Sequence, residues 1–234
     1  MLVVGHRKRG FETIRRFSRG MHQSALLDRN RTSEFTGLPT MKSESDGLPE
    51  IPDVSDVTDA LISILQEGHF EYALIGGLAV VLQGHNRFTQ DVDALVWDLD
   101  NRLEQLVQIA DKRGFRLARL DGLDHVRSTR ILHLLAEDGT AVDVFLGFLP
   151  FEHDVIHRAE RMAIHEGLTA FVATPEDLII MKLIASRSRD LYDVTALLEL
   201  YPDIDKDRVR RVVIEYAEFL DRPEILQNLN DRVR

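Results

Sequence analysis

Residues 73–97 read ALIGGLAVVLQGHNRFTQDVDALVW, and the rest of the chain can be interpreted from this stretch. A short apolar run ends at the pair Gly76-Gly77, and an apolar segment that suits a helix follows it. A polar loop then leads into Asp91-Val-Asp-Ala-Leu-Val, where polar and apolar residues alternate before the sequence becomes fully apolar. This pattern predicts a strand, a glycine turn, a short helix, a loop and a second strand.

Two carboxylates open the second predicted strand. Residues two apart in a strand point to the same face, so Asp91 and Asp93 should lie side by side. Neighbouring like charges repel each other unless a cation lies between them. Carboxylate oxygens are the ligands that Mg²⁺ or Mn²⁺ prefers over the softer ligands of zinc. The pair therefore predicts a divalent metal site, although Asp-x-Asp also occurs at solvated strand ends.

A third carboxylate lies in another apolar run. Asp143 interrupts Ala141-Val-Asp-Val-Phe-Leu, which should be a buried strand after the hairpin turn at Asp138-Gly-Thr. A lone carboxylate in such a strand is costly unless it is paired or bound to a metal. If this strand lies next to the one with Asp91 and Asp93, three carboxylates converge. Two could then bind metal, and the third could share it or accept the proton of an incoming hydroxyl.

The glycine pair and a nearby arginine indicate an anion site. Gly76 and Gly77 would let backbone amides approach a phosphate at the start of a helix. A tight turn without a ligand is the plainer interpretation. Arg87, four residues before Asp91, could contact a triphosphate or neutralise the carboxylates.

Composition restricts the class of protein. The chain has 234 residues, 44% of them hydrophobic and 29% charged, as in ordinary globular proteins, and no apolar run could span a membrane. There is no cysteine, which excludes a thiol nucleophile and a Cys-ligated zinc. Residues 1–31 have eight basic and two acidic side chains, so the remainder carries a charge near −16. Such an acidic body is a poor general binder of nucleic acid.

The order of predicted elements gives an α+β fold in which a mixed-sheet domain precedes a C-terminal helical domain. Residues 1–50 are predicted to be a disordered extension, residues 51–173 the α/β domain, and residues 174–234 the helical domain. Within the α/β domain we expect a helix from Val57 and another over 99–113, a strand over 115–120, and a turn at 121–124. The helical domain should contain helices over about 175–186, 189–200, 205–219 and 222–231.

Gly-Gly, thirteen residues, Asp-x-Asp and a later strand with a single Asp together resemble the DNA-polymerase-β-like nucleotidyltransferase superfamily. The resemblance covers roughly residues 70–147. It implies that the Gly76-Gly77 turn binds a triphosphate, that Asp91 and Asp93 bind metal, and that Asp143 completes the site. Many members have Ser at the second turn position, and Gly77 lacks that hydroxyl.

The segment that begins at Thr174 is similar to the Lys…Arg-Asp-x-x-Asp segment of AbiEii-like nucleotidyltransferases, a group that includes toxins of type IV toxin–antitoxin systems. This resemblance implies that Lys182 reaches the nucleotide phosphates and that Arg189, Asp190 and Asp193 line the same cleft. It also implies a possible antitoxin partner. From the residues alone, Lys182 could equally be solvated, and Arg189 with Asp193 could be an ordinary i,i+4 pair.

The predicted function is transfer of a nucleoside monophosphate from an NTP such as ATP to an acceptor hydroxyl, in the cytoplasm and away from membranes. The acceptor is RNA, for example a tRNA 3′ end, or a protein. A small-molecule acceptor such as an aminoglycoside is the alternative, and a non-catalytic nucleotide-binding protein is another. An RNA acceptor predicts a basic rim beside the cleft, whereas an aminoglycoside predicts an acidic pocket. The arginines considered for the rim are Arg127, Arg130, Arg158, Arg161 and Arg187.

Overall fold

Seven strands form one mixed sheet in the described part of the chain. The structure is a computed structural model that describes residues 54–118 and 122–233, so the predicted extension over residues 1–50 lies outside the described residues. The strands are β1 Tyr72–Ile75, β2 Asp91–Trp97, β3 Arg116–Leu117, β4 Ile131–Leu135, β5 Ala141–Gly147, β6 Glu160–His165 and β7 Leu168–Val172. Their order in the sheet is β3-β4-β5-β2-β1-β7-β6.

The helices cover the sheet and form the C-terminal part of the described chain. They are α1 Ser55–Glu67, α2 Gly76–Leu82, α3 Leu103–Lys112, α4 Gly122–Thr129, α5 Pro150–Arg158, α6 Pro175–Ala185, α7 Ser188–Leu200, α8 Lys206–Leu220 and α9 Pro223–Arg232. None of the helices in the described ranges is long and apolar enough to cross a membrane.

The centre of the sheet is formed by β2, which pairs antiparallel with β1 and parallel with β5. Both faces of β2 are largely buried, because Val92, Ala94 and Leu95 have no exposed surface. A strand covered on both faces becomes apolar along its length, as this one does after Asp93. The carboxylates therefore lie where β2 begins, at one edge of a buried core.

The order of strands and helices agrees with the sequence prediction over most of the described chain, and the four C-terminal helices begin and end close to the predicted residues. The turn predicted at 121–124 is wrong, because α4 begins at Gly122. Val126 of this helix is buried, and the hydroxyl of Thr129 bonds back to the carbonyl of His125, so packing favours a helix. The strand predicted over 115–120 comprises only Arg116–Leu117 among the described residues. The division into two domains near residue 174 stays a prediction.

A buried carboxylate joins three helices. Asp177, in the first turn of α6, is fully buried and accepts a hydrogen bond from Arg208 Nη2 of α8 at 2.5 Å. Arg158 Nε of α5 donates to its second oxygen at 3.2 Å, and the Thr174 hydroxyl donates to that oxygen at 3.0 Å. The Thr174 hydroxyl also caps α6 by accepting from the backbone amide of Asp177. Asp177 thus fixes the position of α6, which borders the candidate site.

Asp177→Ala should lower the free energy of unfolding by about 3–5 kcal/mol, because it leaves the Arg208 guanidinium buried without its partner. Urea unfolding followed by circular dichroism measures this change. Asp207→Ala is the matched control, because Asp207 forms an exposed ion pair with Arg210 in the same region and should change stability by less than about 0.5 kcal/mol. Equal effects of the two substitutions would contradict this role of Asp177.

Candidate active site

The pairing of strands brings three carboxylates to one face of the sheet. In the parallel register of β2 and β5, Asp93 lies directly opposite Asp143. Directly paired residues point to the same face, and Asp91 shares that face because it lies two residues before Asp93. The same row continues to His133 of β4, which is paired with Asp143. The convergence expected from the sequence is therefore present in the fold.

Two of the three carboxylates are held by neighbouring side chains. The hydroxyl of Thr89 lies 2.9 Å from Oδ1 of Asp91 and donates a hydrogen bond to it. Nδ1 of His133 lies 2.6 Å from Oδ1 of Asp143. Among the described residues, no side chain donates a hydrogen bond to Asp93, which lies between the two. The outer carboxylates are thus oriented by the protein, and the central one is not.

Asp93 has an unfavourable environment as an anion. Burial, and then the charges of Asp91 and Asp143, raise its pKa well above the ordinary value. Arg187 and Lys182 oppose this rise only in part. A bound cation would relieve the repulsion, which is the physical reason to expect one here.

The glycine turn is tightly packed against this cluster. Gly76 has φ +68° and lines the cavity described below, and a Cβ atom at this position would overlap Oδ2 of Asp93. A Cβ atom on Gly77 would lie 2.5 Å from the Thr89 hydroxyl and 2.8 Å from Nη2 of Arg87. Residue 76 therefore requires glycine for its backbone conformation and close approach, and a larger residue at position 77 would have to displace the side chains of Thr89 and Arg87.

Two cations converge on one carboxylate of α7. Lys182 Nζ lies 2.6 Å from Oδ2 of Asp193, and Arg87 Nη1 lies 2.6 Å from the same oxygen. Nε2 of His85 is 4.0 Å from the other oxygen of Asp193. Lys182, Asp190 and Asp193 are all buried. Asp193 therefore binds cations from α6 and from the loop before β2.

Asp190 forms the second half of this network. Its Oδ2 accepts a hydrogen bond from Arg187 Nε at 2.5 Å, and its Oδ1 lies 3.4 Å from Lys182 Nζ. Burial on its own would raise the pKa of Asp190, but the hydrogen bond from Arg187 and the charges of Lys182, Arg187 and Arg189 lower it below the ordinary value. Asp190 is therefore a stable anion that holds two cations beside the carboxylate cluster.

A cavity of about 50 Å³ lies between the sheet and the helices α6 and α7. One wall is apolar, and the rest carries charges of both signs. Its lining residues are Ile75, Gly76, Asp91, Asp93, Phe145, Leu178, Met181, Lys182, Ala185, Arg187, Arg189 and Asp190. Asp143 is adjacent to Asp93 but is not among the lining residues. The cavity thus joins two of the predicted metal ligands to part of the predicted nucleotide site. The predicted residues that do not line it are Asp143, Gly77, Arg87 and Asp193.

The donor set fits a hard divalent cation, because Asp91, Asp93 and Asp143 offer only oxygen atoms. Within the described residues, no group of three or more His, Cys, Asp or Glu side chains is already arranged to hold an ion. One reason is visible: Oδ1 of Asp143 is turned towards His133. The three carboxylates therefore match Mg²⁺ or Mn²⁺ in chemistry, and a bound ion would have to draw them together.

Four of the five arginines considered for a basic rim lie elsewhere. Arg130 is buried and bonds the carbonyl of Leu146, and Arg158 bonds Asp177. Arg127 contacts Glu104 and Asp124, and Arg161 bonds the hydroxyl of Thr169. Arg187 alone of the five lines the cavity. Four of these five arginines therefore contact other parts of the protein and do not line the cavity.

Thr89 and His133 were not identified from the sequence as site residues. Thr89 has a weak signal, because it lies two residues before Asp91 and continues its alternation. His133 is the one polar residue in the run Ile131–Leu135, but its place beside Asp143 depends on the pairing of β4 with β5. A long-range register of this kind is not encoded in local periodicity.

Comparison with protein families gives one match over most of the chain. The family described as "Nucleotidyltransferase of unknown function (DUF6036)" matches residues 54–230. The search of curated proteins gives no match. This match supports the predicted membership of the nucleotidyltransferase superfamily, and it does not confirm the predicted membership of the AbiEii-like family. The type IV toxin role, the antitoxin partner and the cytoplasmic location stay predictions.

Solved structures give further matches to this chain at low identity. An antigenic nucleotidyltransferase-like protein from Paracoccidioides brasiliensis is 17% identical with a TM-score of 0.47, over 80% of this chain and 96% of its own. The antibiotic-resistance factor ANT(2'')-Ia is 15% identical with a TM-score of 0.48, over 76% and 96%. A tRNA-processing enzyme is 14% identical with a TM-score of 0.34, over 80% and 60%. Likenesses at this level carry no argument about the acceptor.

Asp93→Asn should raise the melting temperature in EDTA, because it removes a carboxylate whose ionisation is opposed by burial and by Asp91 and Asp143. Each kcal/mol gained shifts the melting temperature of a domain of this size by about 2–4 °C. Calorimetry at pH 7 measures the shift. Asp98→Asn, at the exposed residue directly after β2, is the matched control and should leave the melting temperature nearly unchanged, since both Asp and Asn tolerate its φ of +48°. A lower melting temperature for Asp93→Asn would contradict the repulsion argued here.

Proposed function

Because this chain belongs to the family of nucleotidyltransferases of unknown function that matches residues 54–230, we propose that it moves a nucleoside monophosphate from an NTP to an acceptor hydroxyl. The observation that carries this proposal is the row of three carboxylates beside a cavity that also contains Lys182 and two arginines. Carboxylates for a metal and cations for phosphates are the two groups that phosphoryl transfer requires.

The proposed roles follow from the position of each group. Asp91 and Asp93 would hold Mg²⁺, with Asp143 as the third ligand or as a proton acceptor. A bound Mg²⁺ would neutralise part of the negative charge of the phosphates. The turn at Gly76 lies at the cavity, where its backbone can approach the triphosphate. Lys182, once released from Asp193, would provide a positive charge for the phosphate oxygens.

The chemical step needs little from the protein beyond position and charge. The acceptor oxygen attacks the α-phosphorus, its proton passes to Oδ2 of Asp143, and the bond to pyrophosphate breaks. Nδ1 of His133 lies 2.6 Å from Oδ1 of Asp143, so the imidazole would fix the orientation of that carboxylate. Fixed charges around a partly closed cavity stabilise the transition state without reorganisation.

Two classes of acceptor are proposed. A hydroxyl of RNA, such as a tRNA 3′ end, or of a protein is the first candidate and derives from the resemblance of the sequence. A small cationic molecule is the second candidate, and two observations favour it. Four of the five rim arginines lie away from the cavity, and the chain beyond residue 31 is strongly acidic. An acidic surface attracts cations and repels nucleic acid.

The test uses the full chain with each of the four α-³²P-labelled NTPs and Mg²⁺, together with total cellular RNA, a protein pool or purified aminoglycosides. Label should enter one acceptor class and pyrophosphate should be released. Asp93→Asn and Asp143→Asn should lower the rate by at least about a hundredfold, as loss of a group that stabilises the transition state does. EDTA should stop the reaction, and Asp98→Asn should behave as the wild type does.

The alternative to an enzyme has a distinct outcome in the same experiment. Titration calorimetry that shows NTP binding, with no label on any acceptor and no pyrophosphate, would indicate a non-catalytic nucleotide-binding member. Transfer that persists in Asp93→Asn would show that these carboxylates are not the reactive centre.

A further inference from the structure

The loop before β2 contains a buried hydroxyl that lies between the glycine turn and the carboxylates. We infer that Thr89 is a positioning residue whose hydroxyl orients the carboxylate of Asp91. The hydroxyl can occupy this position because Gly77 has no side chain. The inference rests on the proposed function for the role of Asp91 as a metal ligand. Its geometry rests on the structure alone.

Thr89 is placed to orient Asp91 and not to contact a substrate. It is only 3% exposed and is not among the residues that line the cavity. Its Oγ1 lies 2.9 Å from Oδ1 of Asp91 and 3.3 Å from the backbone carbonyl of the same residue. A hydroxyl donates one proton, and the shorter distance assigns it to the carboxylate. This hydrogen bond fixes the orientation of the Asp91 carboxylate, and Asp91 itself lines the cavity.

Gly77 is the other half of the arrangement. A Cβ atom at residue 77 would lie 2.5 Å from Oγ1 of Thr89, closer than a carbon and an oxygen can approach. A serine there would extend its own hydroxyl one bond further, into the volume that the Thr89 hydroxyl now fills. The protein can therefore place a hydroxyl in this volume from residue 77 or from residue 89, but not from both.

The arginine beside this volume limits how freely residue 77 can change. Nη2 of Arg87 would lie 2.8 Å from the same Cβ atom, and its Nη1 is held by Asp193. A serine at residue 77 thus crowds Arg87 even when Thr89 is shortened. When Gly77→Ser is combined with Thr89→Ala, the hydroxyl moves from residue 89 to residue 77, and this should restore the hydrogen bond to Asp91 only in part.

The first experiment measures Mn²⁺ binding by electron paramagnetic resonance in the full chain without nucleotide. Thr89→Val keeps the shape of the side chain and removes the donor, so Mn²⁺ affinity should fall about tenfold or more, as it does when an outer-shell partner is lost. Thr89→Ser keeps the hydroxyl and should bind as the wild type does. Thr195→Val is the matched control, because the Thr195 hydroxyl bonds only a carbonyl of its own helix, away from the site.

The second experiment is a double-mutant cycle on Gly77→Ser and Thr89→Ala. Urea unfolding in EDTA should show that Gly77→Ser lowers stability more when Thr89 is present than when residue 89 is alanine, because the 2.5 Å contact with Oγ1 of Thr89 is then removed and only the contacts with Cβ of residue 89 and Nη2 of Arg87 remain. Mn²⁺ affinity should be higher in the double variant than in Thr89→Ala, since the serine hydroxyl replaces the lost one. This partial rescue would not occur if Thr89 only filled space.

The outcomes separate this inference from the proposed function. Unchanged Mn²⁺ affinity in Thr89→Val, strictly additive effects in the cycle, or a wild type that binds no Mn²⁺ would each overturn the inference. If the wild type binds Mn²⁺ and the cycle is coupled but no nucleotide is transferred, the proposed function fails and the role of Thr89 stands. If Thr89→Val does not fold, Thr89→Ser and the double variant still decide the question.

Discussion

The parallel pairing of β2 with β5 is the constraint on which the rest of the site depends. It places Asp93 opposite Asp143, a contact between like charges that no isolated pair of strands would favour. The pairing is enforced by apolar neighbours, because Val92, Val142 and Val144 are fully buried. A shift of one residue in either strand would carry Asp93 or Asp143 to the opposite face of the sheet, among these apolar side chains. Burial of the core therefore sustains a cluster that is electrostatically unfavourable.

The cationic side chains near the carboxylate cluster are themselves paired with carboxylates of α7. Lys182 and Arg87 share one oxygen of Asp193, and Arg187 binds Asp190. Lys182, Arg87 and Arg187 are thus already paired with carboxylates of α7, so the cluster of Asp91, Asp93 and Asp143 keeps an excess of negative charge that a bound cation would offset.

The sequence predicted local features well and long-range ones poorly. The glycine turn, the alternation at Asp91 and the caps at Thr174 and Pro175 are local patterns, and the structure has the corresponding elements. The sequence predicts that Asp143 lies beside Asp93 only if their two strands are neighbours in the sheet. The contacts of His133 and of Asp193 depend on which distant segments meet, and an i,i+4 rule suggested a different partner for Asp193. The helix at 122–129 was missed because Asp121-Gly-Leu-Asp resembles a turn until burial of Val126 is known.

The shared oxygen of Asp193 has a thermodynamic consequence for any anion that enters the cavity. A phosphate that bound Lys182 would have to displace a carboxylate already 2.6 Å away. The net gain in binding free energy would be the difference between the two ion pairs and not the full energy of one. The displaced carboxylate of Asp193 would also remain buried. Selectivity for multiply charged anions over singly charged ones is therefore intrinsic to this arrangement, because a weak competitor cannot complete the exchange.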